Sequence, residues 1–127
     1  MTLEGKVALV TGGSQGIGAA IAKKLASEGA DIAILYVGNP APAEETVAAI
    51  EAMGRKVACK VCDVSNFEET QAAIKEIISE FGGVDTFIEV GPGKTLAGLI
   101  GKINSDVRAL NVEDAESLKH TIEEVKA

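Results

Sequence analysis

Val7-Ala8-Leu9-Val10-Thr11 runs without a break into Gly12-Gly13-Ser14-Gln15-Gly16-Ile17-Gly18, and a stretch follows in which Ile17, Ile21 and Leu25 fall four apart. Five consecutive aliphatic or β-branched residues read as a strand covered on both faces, because a strand with one wet face would alternate. The fourfold spacing reads as one buried face of a helix. The glycines between them then have a physical purpose. A tight strand-to-helix turn presents backbone N–H groups and the positive helix terminus to an anion, and residues without Cβ permit both the turn and the close approach of a pyrophosphate. Glycines alone are weak evidence; a buried strand before them and an amphipathic helix after them supply the context. The competing reading is that they only shape a turn.

The same alternation repeats outward from this unit. Further strands are expected at Asp31 to Val37, Val57 to Cys62, Val84 to Val90 and Val107 to Leu110. Between them Val47, Ile50 and Met53 make one helical stripe, and Phe67, Ile74, Ile78 and Phe81 another. Ser65-Asn66-Phe67-Glu68 has the form of a capping box, and Asn111 is placed to cap a last helix with Ala115, Leu118, Ile122 and Val125 on its core face. Gly29 and Gly54 stand where the first two helices should stop. Lys94 to Lys102 is the weakest helix, interrupted by Gly98 and Gly101. Strands alternating with helices at this spacing predict an α/β fold: a doubly wound, Rossmann-like, three-layer αβα domain with five parallel strands.

Composition narrows the function. At 127 residues and 46% hydrophobic, the chain has the length of one domain, 1–127, with enough apolar surface to bury. Nineteen acidic against twelve basic residues give a formal charge of -7, which repels a phosphate backbone or an anionic membrane, so neither nucleic acid nor membrane is expected as a partner. Aromatic residues at 3%, with no Trp, leave no platform for stacking bases. There is no apolar run of about 18 residues and no basic-then-apolar start, so a cytoplasmic protein is expected. Cys59 and Cys62 have C-x-x-C spacing, yet residues three apart on a strand point to opposite faces; two core thiols are expected, and no metal site. His120, among charged neighbours, reads as a surface residue. Gly91-Pro92-Gly93-Lys94-Thr95 hints at a nucleotide P-loop, but that loop needs a glycine at position 88, where Ile88 stands.

The wording T-G-x-x-x-G-x-G at Thr11 to Gly18 resembles the short-chain dehydrogenase/reductase family. The likeness continues through Tyr36-Val37-Gly38-Asn39, Met53-Gly54-Arg55-Lys56 and Cys62-Asp63-Val64-Ser65, and residues 1–85 look like the start of a 3-oxoacyl-acyl-carrier-protein reductase. The resemblance implies strand order 3-2-1-4-5, with a ligand crevice between the first and fourth strands. It also implies that Gly12, Ser14, Gln15, Gly16, Ile17 and Gly18 hold the diphosphate of NADP(H), that Asp63 and Val64 contact the adenine, and that Tyr36 flanks the ribose. Two departures blur the choice of dinucleotide. Gln15 stands where NADP-preferring members usually carry Arg, and Tyr36 where NAD-preferring members carry an acid. NADP(H), weakly held, is the better fit, with NAD less favoured.

After Asp85 the family's Asn-Asn-Ala-Gly, catalytic Ser and Tyr-x-x-x-Lys do not follow. Instead Thr86-Phe87-Ile88-Glu89-Val90-Gly91-Pro92-Gly93-Lys94-Thr95-Leu96, with Asn111-Val112-Glu113-Asp114, resembles the C-terminal end of a malonyl-CoA:acyl-carrier-protein transacylase, without its nucleophilic serine or catalytic histidine. The expectation is a chimera joined near Gly83 to Thr86, with 1–85 reductase-like and 86–127 transacylase-like. No catalytic residue is expected. Glu89, near the carboxyl end of the fourth strand, sets a negative charge beside the expected cofactor unless Lys94 neutralises it. Three functions stay open: a catalytically silent domain with an adenosine half-site, a ligand-free scaffold, and a trace reductase with some other proton donor. Oligomeric state is not legible.

Overall fold

The computed structural model describes residues 3–12, 16–63, 66–90 and 108–112. Five strands form one sheet: β1 (Val7–Thr11), β2 (Asp31–Tyr36), β3 (Val57–Val61), β4 (Thr86–Val90) and β5 (Arg108–Val112). Among the described residues three helices connect them: α1 (Gly16–Ser27), α2 (Pro40–Ala52) and α3 (Phe67–Phe81). The strand order is β3-β2-β1-β4-β5, parallel throughout, which is the order the short-chain dehydrogenase/reductase resemblance implies.

Alternation along the strands decides which helix covers which face. Ala8, Val10, Ile32, Ile34 and Ile88 pack with Ile21, Ala22, Leu25 and Ala26 of α1 and Ile50 of α2. Val7, Leu9, Ala33, Leu35 and Phe87 pack on the other face with Ala73, Ile74 and Ile77 of α3. β1 is buried along its whole length because both layers meet over it. The winding therefore runs outward from β1 through β2 to β3 under α1 and α2. It then crosses by α3 on the opposite face to β4, on the other side of β1.

Several expected details shift. Ile17 is 45% exposed and Phe67 55% exposed, because each lies in a first helical turn that stands past the strand ends, where no sheet remains to cover it. Met53 is exposed as well, being the C-cap of α2 and not part of its face. The buried sets are instead Ala43, Thr46 and Ile50 on α2, and Thr70, Ala73, Ile74 and Ile77 on α3. The cap of α3 falls one residue later than the Ser65 box. Asn66 Oδ1 accepts from Glu69 N at 3.0 Å, and Asn caps as well as Ser, so the register follows the apolar face. Asn111 does not cap a helix; it belongs to β5, opposite Glu89. Gly29 and Gly54 do take positive φ after α1 and α2. Cys59 and Cys62 are free thiols in the clusters on opposite faces. The expected helices at Lys94 to Lys102 and from Ala115 to Val125, with His120, lie outside the described residues. No helix among the described residues is long and apolar enough to cross a membrane.

Candidate functional site

Parallel strands bring all their carboxyl ends to one edge, and the winding reverses there between β1 and β4. At this edge β1 continues one rung past Thr11: Gly12 N donates to Leu35 O at 2.8 Å. The backbone then turns at Gly12 with φ +64° and enters α1 at Gly16 with φ +59°. Both values lie in the left-handed region that an L side chain resists. A Cβ on Gly16 would meet nothing within 4 Å, so its glycine is required by backbone conformation and not by crowding. Gly18 is buried in α1 and Ile17 projects from its first turn.

Tyr36 closes β2, half-buried against the α1 and α2 side of the core. Its carbonyl accepts from Cys62 N at 2.8 Å, which carries the ladder on to the end of β3. Asp63 follows, exposed, its N–H donating to Glu69 Oε1 at 3.3 Å and its carbonyl accepting from Asn66 N at 2.9 Å. Gly12, Tyr36 and Asp63 thus stand along one edge on three neighbouring strands, a row of about 10 Å at the usual strand spacing. Ser14, Gln15 and Val64 lie outside the described residues.

On the other side of β1, Glu89 is 8% exposed and occupies the rung after the Val10↔Ile88 pair, beside buried Thr11. Thr11 Oγ1 donates to Ile88 O at 3.5 Å. Glu89 is legible at this edge from the sequence, whereas Thr11 carries no signal beyond its place in the strand and motif. Asn39-Pro40-Ala41-Pro42 is likewise silent in the sequence; in the structure Asn39 caps α2, its Oδ1 accepting from Ala41 N at 3.0 Å. A groove of about 280 Å³ opens between the helices here, lined by Gly16, Ala20, Lys23, Pro42, Glu45 and Thr46. A cavity of about 360 Å³ at the opposite, amino edge is lined by Gly5, Val7 and residues 81–85, far from the glycine turn.

A family model described as short chain dehydrogenase matches residues 6–123. The chain belongs to this family. A hydroxynaphthalene reductase of Aspergillus fumigatus is 42% identical over 88 residues, covering 69% of this chain and 32% of the relative. A 3-oxoacyl-acyl-carrier-protein reductase FabG of Staphylococcus aureus is 42% identical over 83 residues, covering 65% of this chain and 34% of the relative. The chain therefore spans about a third of the length of the curated relatives it matches. Among solved structures, a short chain dehydrogenase from Burkholderia cenocepacia in complex with NADP has a TM-score of 0.70 and 43% identity, over 74% of this chain and 39% of its own. The family model runs across the segment that resembles a transacylase.

The described residues fit an adenine dinucleotide on the structure's own terms. Gly12 and Gly16 carry no side chain where the strand gives way to the helix, and the amino end of α1, the positive end of its dipole, lies at the same edge.

Proposed function

We propose that residues 1–127 form one domain that holds the adenosine half of NADP(H) weakly and does not itself transfer hydride. The row of Gly12, Gly16, Tyr36 and Asp63 at the reversal of winding carries this reading. Gly12, Ser14, Gln15, Gly16, Ile17 and Gly18 would wrap the diphosphate, Asp63 and Val64 would meet the adenine, and Tyr36 would flank the ribose. NADP(H), when bound, supplies a hydride donor or acceptor. Reduction of a carbonyl also needs a proton for the oxygen, and the one tyrosine of these residues, Tyr36, has Pro40 and no lysine four positions on.

The proposal includes the join. Residues 1–85 are reductase-like and 86–127 transacylase-like in wording, and β4 begins at Thr86, where an exchange keeps the alternation of strand and helix. The alignments to the two reductases, 83 and 88 residues long, are close in length to the first part. One observation bears on the ligand-free alternative: the side chain of Glu89 is buried at the rung beside Thr11, close to where a bound phosphate would lie.

Calorimetric titration with NADPH, followed together with nicotinamide fluorescence, tests the proposal. Saturable heat without a blue shift, lost in Gly16→Asp, is expected. A flat titration to millimolar NADPH from a cooperatively folded protein would leave only a scaffold.

A further inference from the structure

We infer that the lateral edge of β3 is a self-association surface, on which a second copy of this chain adds its own β3 antiparallel about a two-fold axis at Cys59. Among the described residues β3 ends the sheet. Ile32 N donates to Lys56 O at 2.9 Å and Cys62 N to Tyr36 O at 2.8 Å, so the even-numbered residues from 56 to 62 turn their backbone groups to β2. The N–H and C=O groups of Val57, Cys59 and Val61 therefore point away from the sheet. An edge of this kind is a template for another strand, and a lysine or a proline on it is the usual guard. Residues 57–61 hold no proline, and Lys60 is drawn onto the α3 face, its Nζ 2.9 Å from Glu80 and 3.3 Å from Glu76.

The occupant follows from the pattern of Val57-Ala58-Cys59-Lys60-Val61, which on one face reads Val-Cys-Val in either direction. Laid antiparallel on itself with Cys59 opposite Cys59, the strand pairs Val57 with the partner's Val61 at both ends. Every rung of this face then joins apolar side chains. Val57 and Cys59 already pack on the α1 and α2 side of the core, and Val61, 62% exposed, is the side chain that the second copy would cover.

Charge selects this register. On the α3 face each Lys60 stands opposite the partner's Ala58, with room for its stem and no like charge directly across. Beyond the ladder, half-buried Arg55 falls opposite the exposed Asp63 of the partner subunit, an attraction repeated at both ends by symmetry. Sliding by two residues sets Lys60 against either Lys56 or Lys60 of the partner subunit, and like charges directly opposite are destabilising. A formal charge of -7 on each copy and a ladder of a few rungs make the dimer weak.

Sedimentation equilibrium and amide hydrogen exchange by NMR on the 127-residue protein test this. A monomer–dimer equilibrium is expected, with the N–H groups of Val57, Cys59 and Val61 exchanging more slowly as protein concentration rises. Val61→Pro removes an outward N–H that the ladder to β2 does not use. Two symmetry-related hydrogen bonds are lost with it, and the dissociation constant of the dimer should rise about tenfold. Val61→Asp, at the same exposed position, is the second variant should the proline fold poorly, and should weaken the dimer in the same direction. A wild-type protein that stays monomeric to about millimolar concentration overturns the inference and leaves the edge to another kind of partner. A dimer that keeps its affinity in both variants, or whose edge amides exchange as fast as in the monomer, overturns it by placing the contact elsewhere.

Discussion

The two edges of the sheet are built on opposite terms. At the amino edge, charged side chains stitch backbone to backbone. Asp85 Oδ2 accepts from Val7 N at 2.8 Å while Asp85 N donates to Val7 O at 2.9 Å, locking β4 to β1. Asp31 Oδ1 accepts from Lys56 N, and Lys56 Nζ reaches Glu80 O at 2.7 Å while lying 4.4 Å from the Phe81 ring centroid. Among the described residues the carboxyl edge turns on the left-handed glycines Gly12 and Gly16, exposes Ile17 and Val37, and is tied by shorter polar side chains, with Thr11 Oγ1 donating to Ile88 O and Asn66 Oδ1 accepting from Glu69 N. Order at one edge lets the other remain glycine-rich, where a ligand can approach the main chain closely. Residues that secure the fold and residues that would meet a ligand are therefore separable by substitution.

The largest effect should come from the layer between the edges. Phe87→Ala removes a fully buried ring from the α3 face and should cost about 3–5 kcal/mol in urea unfolding. Next comes the amino edge: Asp85→Ala orphans the N–H of Val7 and should cost roughly 2 kcal/mol, with nucleotide heat unchanged after correction for the unfolded fraction. Weakened binding by the folded Asp85→Ala protein would break the separation of the edges. At the carboxyl edge Gly12→Ala should lose about 1–2 kcal/mol to left-handed strain yet abolish nucleotide heat, the reverse signature.

The smallest effect is a pH dependence on the flank of β3. Burial pushes the Cys59 thiol from an ordinary 9.0 to about 11, and hydrogen bonds to Glu80 and Glu76 hold the Lys60 ammonium above its usual range against partial desolvation. Folding thus tightens both protons, and the stability this lends is intact at neutral pH. It should fall as pH rises from 9 through about 11 for Cys59, and higher for Lys60. A urea midpoint that stays level across this window would remove both contributions.

Strand positions were legible because continuous runs such as Val7 to Thr11 and Asp31 to Tyr36 suit a sheet covered on both sides, whereas the order of the strands came from the resemblance carried by Thr11 to Gly18. Helix faces were less so. Periodicity counts Ile17, Met53 and Phe67 as core, but only tertiary placement tells whether a first or last turn still overlies the sheet. Asn111 misled because Asn caps helices well, and its pairing with Glu89 depends on a partner strand distant in the chain. In the candidate site the glycines announced themselves by composition. The cap of α2 did not, because it depends on where the Asn39 side chain turns.

The Val7–Asp85 stitch spans 78 residues of sequence, and it sets an order of events. β1 and β2, joined by α1, can zip locally, whereas the far side of β1 stays without its partner until β4 has left the ribosome. Closure of that long loop is then the slow step, since its entropy is lost before the contacts that reward it form. Until then the most buried strand of the finished sheet is an open edge, and an arrested chain ending before Thr86 would expose it to other strands.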